Sequence, residues 1–172
     1  MKVIGLGSAG CRIAQKFSSF PEYSTYCIDT EDFGYEKFIK IPEQQLHEDY
    51  EKNYIELGFN FVGEEVLLVL SGAGAISGCA LRLLHELKGS KIKVLYIKPA
   101  DEDMSTLARS QDRVVSQVLQ QYARSGLIEE FCFILNEKVE TVTPNISLKN
   151  YWGSINDTIV NSFHMINVFE NT

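Results

Sequence analysis

Twice along this sequence a short apolar run passes through a knot of glycines into a stretch with helical spacing, and that arrangement restricts the fold more than any other feature. The first instance is Lys2 to Gly5, leading into Gly5-Leu6-Gly7-Ser8-Ala9-Gly10. The second is Val66 to Leu70, leading into Ser71-Gly72-Ala73-Gly74-Ala75-Ile76-Ser77-Gly78. Val66 to Leu70 has no polar residue, as a strand buried on both faces requires, and such strands belong to parallel sheets covered by crossover helices. Strand, glycine turn and helix, repeated, predict an α/β fold.

The other segments follow the same alternation. A helix is predicted from about Cys11 to Phe20, with Ile13 and Phe17 spaced i, i+4 on its buried face. Tyr26 to Asp29 and Phe38 to Ile41 read as the second and third strands. The acidic, aromatic segment from Pro42 to Gly63 is expected to form a helix and then a loop. A helix from about Gly78 to Leu87 follows the second glycine knot. Then come a buried strand, Ile92 to Ile97, and a long helix, Ser105 to Ala123, with the acidic run Asp101, Glu102 and Asp103 opening it. Phe131 to Leu135 is the last strand, and a polar loop leads to a helix from about Trp152 that still runs at Thr172. The expectation is one doubly wound, three-layer α/β domain over residues 1–172, its mostly parallel sheet ordered 3-2-1-4-5-6 with helices on both faces.

Composition removes several classes of function. A net charge of -7, with no local cluster of Lys and Arg, argues against a nucleic-acid partner, because that affinity rests on cations that neutralise phosphates. Val66 to Leu70 is an apolar run as long as any in the chain and is far too short to span a bilayer; the N-terminus has no apolar stretch of signal-peptide kind. Cys11, Cys27, Cys79 and Cys132 occur singly, without metal-ligand spacing, as reduced thiols of a cytoplasmic protein do. His47, His85 and His164 are scattered, and no Ser/His/Asp or Cys/His set can be assembled from spacing, so no catalytic or metal-binding residue is assigned.

Glycines let a backbone turn tightly and approach a phosphate, whose charge is stabilised by free N–H groups at a helix N-terminus. The first knot is a G-x-G-x-x-G, and Asp29 follows at the end of the second strand, where a dinucleotide fold places its ribose-binding acid. An NAD site is therefore one reading. In a doubly wound sheet the first and fourth strands flank the topological switch point, so the two knots face one crevice and could embrace one polyphosphate. Neither knot ends in Gly-Lys-Ser/Thr, which excludes a P-loop.

Several segments, in order over nearly the whole chain, resemble the tubulin/FtsZ family. Residues 2–17 (KVIGLGSAGCRIAQKF) resemble its first phosphate loop and helix. LVLSGAGAISGCALRLLHEL resembles the strand, signature loop and helix that carry GGGTGTG or GGGTGSG in the family. VLYIKPADED resembles the strand whose Lys-Pro ending opens the ribose-contacting loop, and FCFILNEKV the strand ending in Pro-Asn-Asp-Lys-Leu. YWGSINDTIV is similar to the start of the central helix, where tubulins read Tyr-Gly-Asp-Leu-Asn.

The resemblance implies roles residue by residue. Gly7, Ser8, Ala9 and Gly10 would contact phosphates, and Arg12 replaces an amide near the base. Asp29 and Thr30 match a loop near the phosphates and metal; Gly72, Ala73, Gly74, Ala75, Ser77 and Gly78 would cradle the phosphates. Asp103 stands where the family has a ribose-binding glutamate, Asn136 and Asn156 would hydrogen-bond guanine, and Trp152 would stack on it. The implied ligand is GTP or GDP with Mg²⁺ at the β/γ-phosphates, and the implied partner is a second copy or a tubulin/FtsZ-like homologue.

Departures from the pattern matter as much. Ala75 replaces the signature threonine, Ile76 the glycine after it, and Leu107 an expected arginine, with Arg109 nearby. The loop between Ile41 and Glu65 has no family sequence. The family's second, activation domain is expected to be absent, so that hydrolysis is weak or depends on a partner. Three readings stay open: a guanine-nucleotide-binding module that associates with or modulates cytoskeletal-type filaments, an NAD(P)-binding oxidoreductase or regulator, and a degenerate structural partner without nucleotide.

Overall fold

In the computed structural model, which describes residues 1–52, 55–143 and 150–171, six strands form one sheet in the order β3-β2-β1-β4-β5-β6. They are β1 (Lys2–Leu6), β2 (Ser24–Asp29), β3 (Phe38–Lys40), β4 (Glu65–Ser71), β5 (Lys91–Lys98) and β6 (Glu130–Leu135). Every pairing is parallel. The strand order read from the sequence is the observed one.

Alternation of side chains along each strand separates two cores. Ile4, Leu6, Leu68, Leu70, Val94 and Tyr96 point to one face, where they meet Tyr50 of α2 (His47–Lys52), Leu83 of α3 (Ala80–Glu86) and Leu119 of α4 (Thr106–Arg124). Val3, Leu67, Val69, Leu95 and Ile97 point to the other, against Cys11, Ile13 and Ala14 of α1 (Gly7–Lys16) and Ile155, Ile159 and Phe163 of α6 (Tyr151–Glu170). The central strands are buried on both sides, which is why β4 needs an uninterrupted apolar run. Lys16 pairs with Asp157 at 2.7 Å and Tyr23 Oη lies 2.8 Å from His164 Nδ1, so α6 is moored along α1. No helix among the described residues is long and apolar enough to cross a membrane.

The structure corrects four local expectations. Helix α1 starts at Gly7 rather than Cys11, because Gly7 turns the chain at φ 75° and the glycine knot itself becomes the first helical turn. Phe17 remains buried but belongs to a 3₁₀ turn, Phe17–Ser19, that extends α1. Asp101–Asp103 does not open α4: it forms a 3₁₀ turn, Met104 is extended and buried, and Ser105 caps α4 by accepting from Ala108 N–H at 3.1 Å. Part of the expected polar loop is a helix, α5 (Asn136–Val142), anchored by Val139; so short a helix with one apolar contact leaves no period to read. Residues 144–149 of that loop, and Thr172, lie outside the described residues.

Candidate functional site

The crevice exists because consecutive crossovers leave the sheet on opposite sides. Helix α1 follows β1 onto one face, whereas α3 follows β4 onto the other. Their strands are neighbours, with Gly5 opposite Val69, so the two glycine segments stand side by side at the topological switch point. Gly10 lets α1 sit this low, because a Cβ there would overlap the Val69 carbonyl oxygen. The first turn of α1 has neither a side-chain cap nor an acidic residue, and Ser8 and Ala9 are exposed, so its N–H groups are open to an anion. The 3₁₀ turn Ala75–Cys79 also begins without a side-chain cap, at Gly74.

Beside these N–H groups lies a cleft of about 180 Å³. It is lined by Ala9 and Arg12 from α1, Ser71 from β4, Asn136 from α5, and Trp152 and Asn156 from α6. Packing α6 along α1 brings Trp152 and Asn156, four residues apart on one helix face, alongside Arg12. β6 ends in register with β5, Leu135 opposite Lys98, which delivers Asn136 to the same opening. Asn136 is 8% exposed, and its Oδ1 has no hydrogen-bond partner among the described residues. A buried amide oxygen left so is costly unless a ligand N–H reaches it. Trp152 is exposed and meets Tyr151 edge-on at 5.0 Å, which leaves its ring available for stacking.

Other residues named from the sequence face inward. Ser77 is 1% exposed; its hydroxyl donates to the Gly74 carbonyl at 2.7 Å, lies 3.1 Å from the Gly72 carbonyl, and is 3.2 Å from His47 Nε2. A Cβ on Gly78 would overlap the His47 carbonyl, and one on Gly72 the Tyr96 hydroxyl. These three residues therefore shape the second loop from behind. Ala73 and Ala75 are half-buried and Gly74 is exposed on its front. Tyr96 Oη donates to Asp112 Oδ1 at 2.5 Å under Gly72, and burial with this acid raises the tyrosine pKa far above its ordinary value. Burial lowers the pKa of His47. Sequence reasoning missed the support from His47, Tyr96 and Asp112, because each meets the loop from a distant element. Ser77, His47 and Glu51 have the order of a nucleophilic triad, but the hydroxyl is sealed and committed to its own loop.

Asp29 closes the floor beside the first loop, since Leu6 pairs with Ile28. It is 7% exposed; Oδ1 accepts from Thr30 N–H at 2.8 Å, and Oδ2 has no partner among the described residues. Burial raises its pKa above the ordinary 3.8, with the Thr30 N–H and Arg12 working the other way. The folded state therefore binds the Asp29 proton more tightly than the unfolded chain, and stability falls as pH rises from about 4 through the folded pKa. Asp29→Asn removes that loss: its stability advantage over the native protein should grow with pH above about 4 and then level off. Urea denaturation of both proteins from pH 4 to 8 checks this, and a difference independent of pH would overturn it.

Thr30 is half-buried next to Asp29. Asp103 is exposed in its 3₁₀ turn and stands outside the cleft lining, although its charge reaches Tyr151. Leu107 is exposed. No group of three or more His, Cys, Asp or Glu placed to hold a metal occurs among the described residues.

No protein-family model matches the sequence, and a search of curated proteins finds no match. Solved structures do match. The chain is similar to an empty FtsZ dimer from M. jannaschii at a TM-score of 0.68 and 16% identity, covering 93% of this chain and 52% of that one. It is similar to CetZ from Methanosaeta thermophila strain DSM 6194 at a TM-score of 0.70 and 12% identity, covering 96% of this chain and 52% of that one. The chain thus spans about half the length of the solved structures it matches. The resemblance to the tubulin/FtsZ family stands at the level of the fold: this chain has the α/β fold shared with part of FtsZ and of CetZ.

Proposed function

We propose that this chain binds a guanine nucleotide in the switch-point crevice. The base enters the cleft between α1, α5 and α6, with the phosphates on the two glycine segments and Mg²⁺ carried on the phosphates. The observation that carries the reading is the buried, unpartnered Oδ1 of Asn136 in the same cleft as Trp152 and Asn156, next to an uncapped helix N-terminus. An asparagine amide offers the acceptor that guanine N–H groups need, a second amide comes from Asn156, and an aromatic plane holds a base by about 1–3 kcal/mol. The dinucleotide reading loses support because the Asp29 carboxylate is buried and bonded to Thr30 rather than open to a ribose.

Binding is proposed to dominate over turnover, since Asp29 and Asp112, the carboxylates described above beside the two loops, are both buried. Self-association, or association with an FtsZ-like homologue in the cytoplasm, is proposed with it, and the fold shared with part of a protein described as a dimer supports that reading.

Thermal unfolding with GMP, GDP, GTP, ATP and NAD tests the nucleotide. A ligand at 100 times its Kd stabilises by about 2.7 kcal/mol. That corresponds to a Tm rise on the order of 5–10 °C for a chain of this size. A rise with guanine nucleotides alone is expected. A rise with NAD alone would support the dinucleotide reading, and no rise with any ligand would leave a structural partner.

A further inference from the structure

We infer that Ile76 closes the phosphate end of this crevice, so that the site accepts guanine nucleotides with a short phosphate tail and rejects the terminal phosphate of GTP. This rests on the guanine reading above and specifies which form of the nucleotide the site takes.

Three observations converge. Ile76 Cγ2 lies so near Gly7 that a Cβ built on Gly7 would come within 2.6 Å of it, and it is 4.0 Å from one built on Gly74. Ile76, from the second glycine segment, thus reaches across to the first, where a polyphosphate cradled by both would have to run. Secondly, the open cleft touches the first segment at Ala9 and the second at Ser71, and its lining excludes Gly7, Gly72 and Gly74. Thirdly, neither glycine segment contains Lys or Arg to draw a third phosphate in.

The block is stiff. Cγ2 is attached directly to Cβ of a β-branched residue, so only χ1 moves it. Ile76 is partly buried and packs against the core that contains Leu6 and Ile41. A charged phosphate oxygen pressed against that methyl loses water and gains no hydrogen bond.

Calorimetric titration of GMP, GDP and a GTP analogue with an imide between its β- and γ-phosphates, into the native protein and Ile76→Ala, tests the inference. The native protein should bind the analogue at least about tenfold more weakly than GDP. Ile76→Ala should raise the ratio of analogue to GMP affinity by about tenfold. Analogue binding to the native protein as tight as that of GDP overturns the gate and leaves the guanine site standing. Binding of no guanine compound to either protein overturns both. If Ile76→Ala does not fold, the phosphate-length series on the native protein decides alone.

Discussion

Gly10→Ala is expected to destabilise the protein by about 3 kcal/mol, the upper end of what an added methyl costs in a packed core. The new Cβ would overlap the Val69 carbonyl oxygen and lie 3.1 Å from the Val69 carbonyl carbon and 3.4 Å from Leu70 Cα. All three are backbone atoms of β4, which is hydrogen-bonded to β1 on one side and β5 on the other. Unlike a side-chain tip, they cannot move without disturbing both ladders, and lifting α1 instead would open the core around Cys11 and Ala14. With a urea slope near 2 kcal/mol per M, the midpoint should fall by about 1.5 M. Gly153→Ala is the control: none of the described residues comes within 4 Å of a Cβ built there, in the first turn of α6. The same substitution there should stabilise by about 0.5–1 kcal/mol. Equal effects at the two sites would refute the close approach of α1 to β4.

Asn136→Ala separates binding from structure. The substitution removes a buried carbonyl oxygen that has no partner among the described residues. An unmet group of this kind costs about 1–3 kcal/mol, which offsets the packing lost with the side chain, so the ligand-free Tm should change little. Affinity for guanine nucleotides should fall by about 2 kcal/mol, some thirtyfold, because the hydrogen bond to the base is gone and the base edge stays unmet. ATP, which presents a different edge, should be unaffected. Trp152→Ala offers the contrast: stacking ignores base identity, so any base that binds should lose about 1–3 kcal/mol. A lowered ligand-free Tm for Asn136→Ala with an unchanged response to guanine nucleotides would assign Asn136 a purely structural role.

Some of the site could be read directly along the chain. The apolar run Val66 to Leu70, the glycines that follow it and the G-x-G-x-x-G after β1 report local requirements: burial on both faces, tight turns and close approach. Gly7, Ser8, Ala9 and Gly10, expected as a loop ahead of the helix, instead form the uncapped first turn of α1. Asn136, Trp152 and Asn156 were named through resemblance, and the packing of α5 and α6 gathers them with Arg12. Asp103, named the same way, lies outside that gathering, because Met104 is drawn into the core and the acidic turn is left in solvent.

Ser77, Gly72 and Gly78 show what local reading leaves out. In the sequence they belong to one phosphate-type loop, yet their partners are His47 and Tyr96, from elements 30 and 24 residues away. Whether a loop residue faces a ligand or the core depends on which elements cover its back, and α2 and α4 do so here. Ile76 is the clearest case. As a residue type it is only a substitution for glycine; its contact with Gly7, from which the proposed barrier is inferred, is visible only in three dimensions. The sequence alone determined the α/β class and the two glycine turns, because burial periodicity and backbone freedom are properties of neighbouring residues; the strand order was expected from the doubly wound fold class and is the observed one. Only the tertiary structure decided which loop atoms remain open and which face the core, because both are set by contacts between elements distant in the chain.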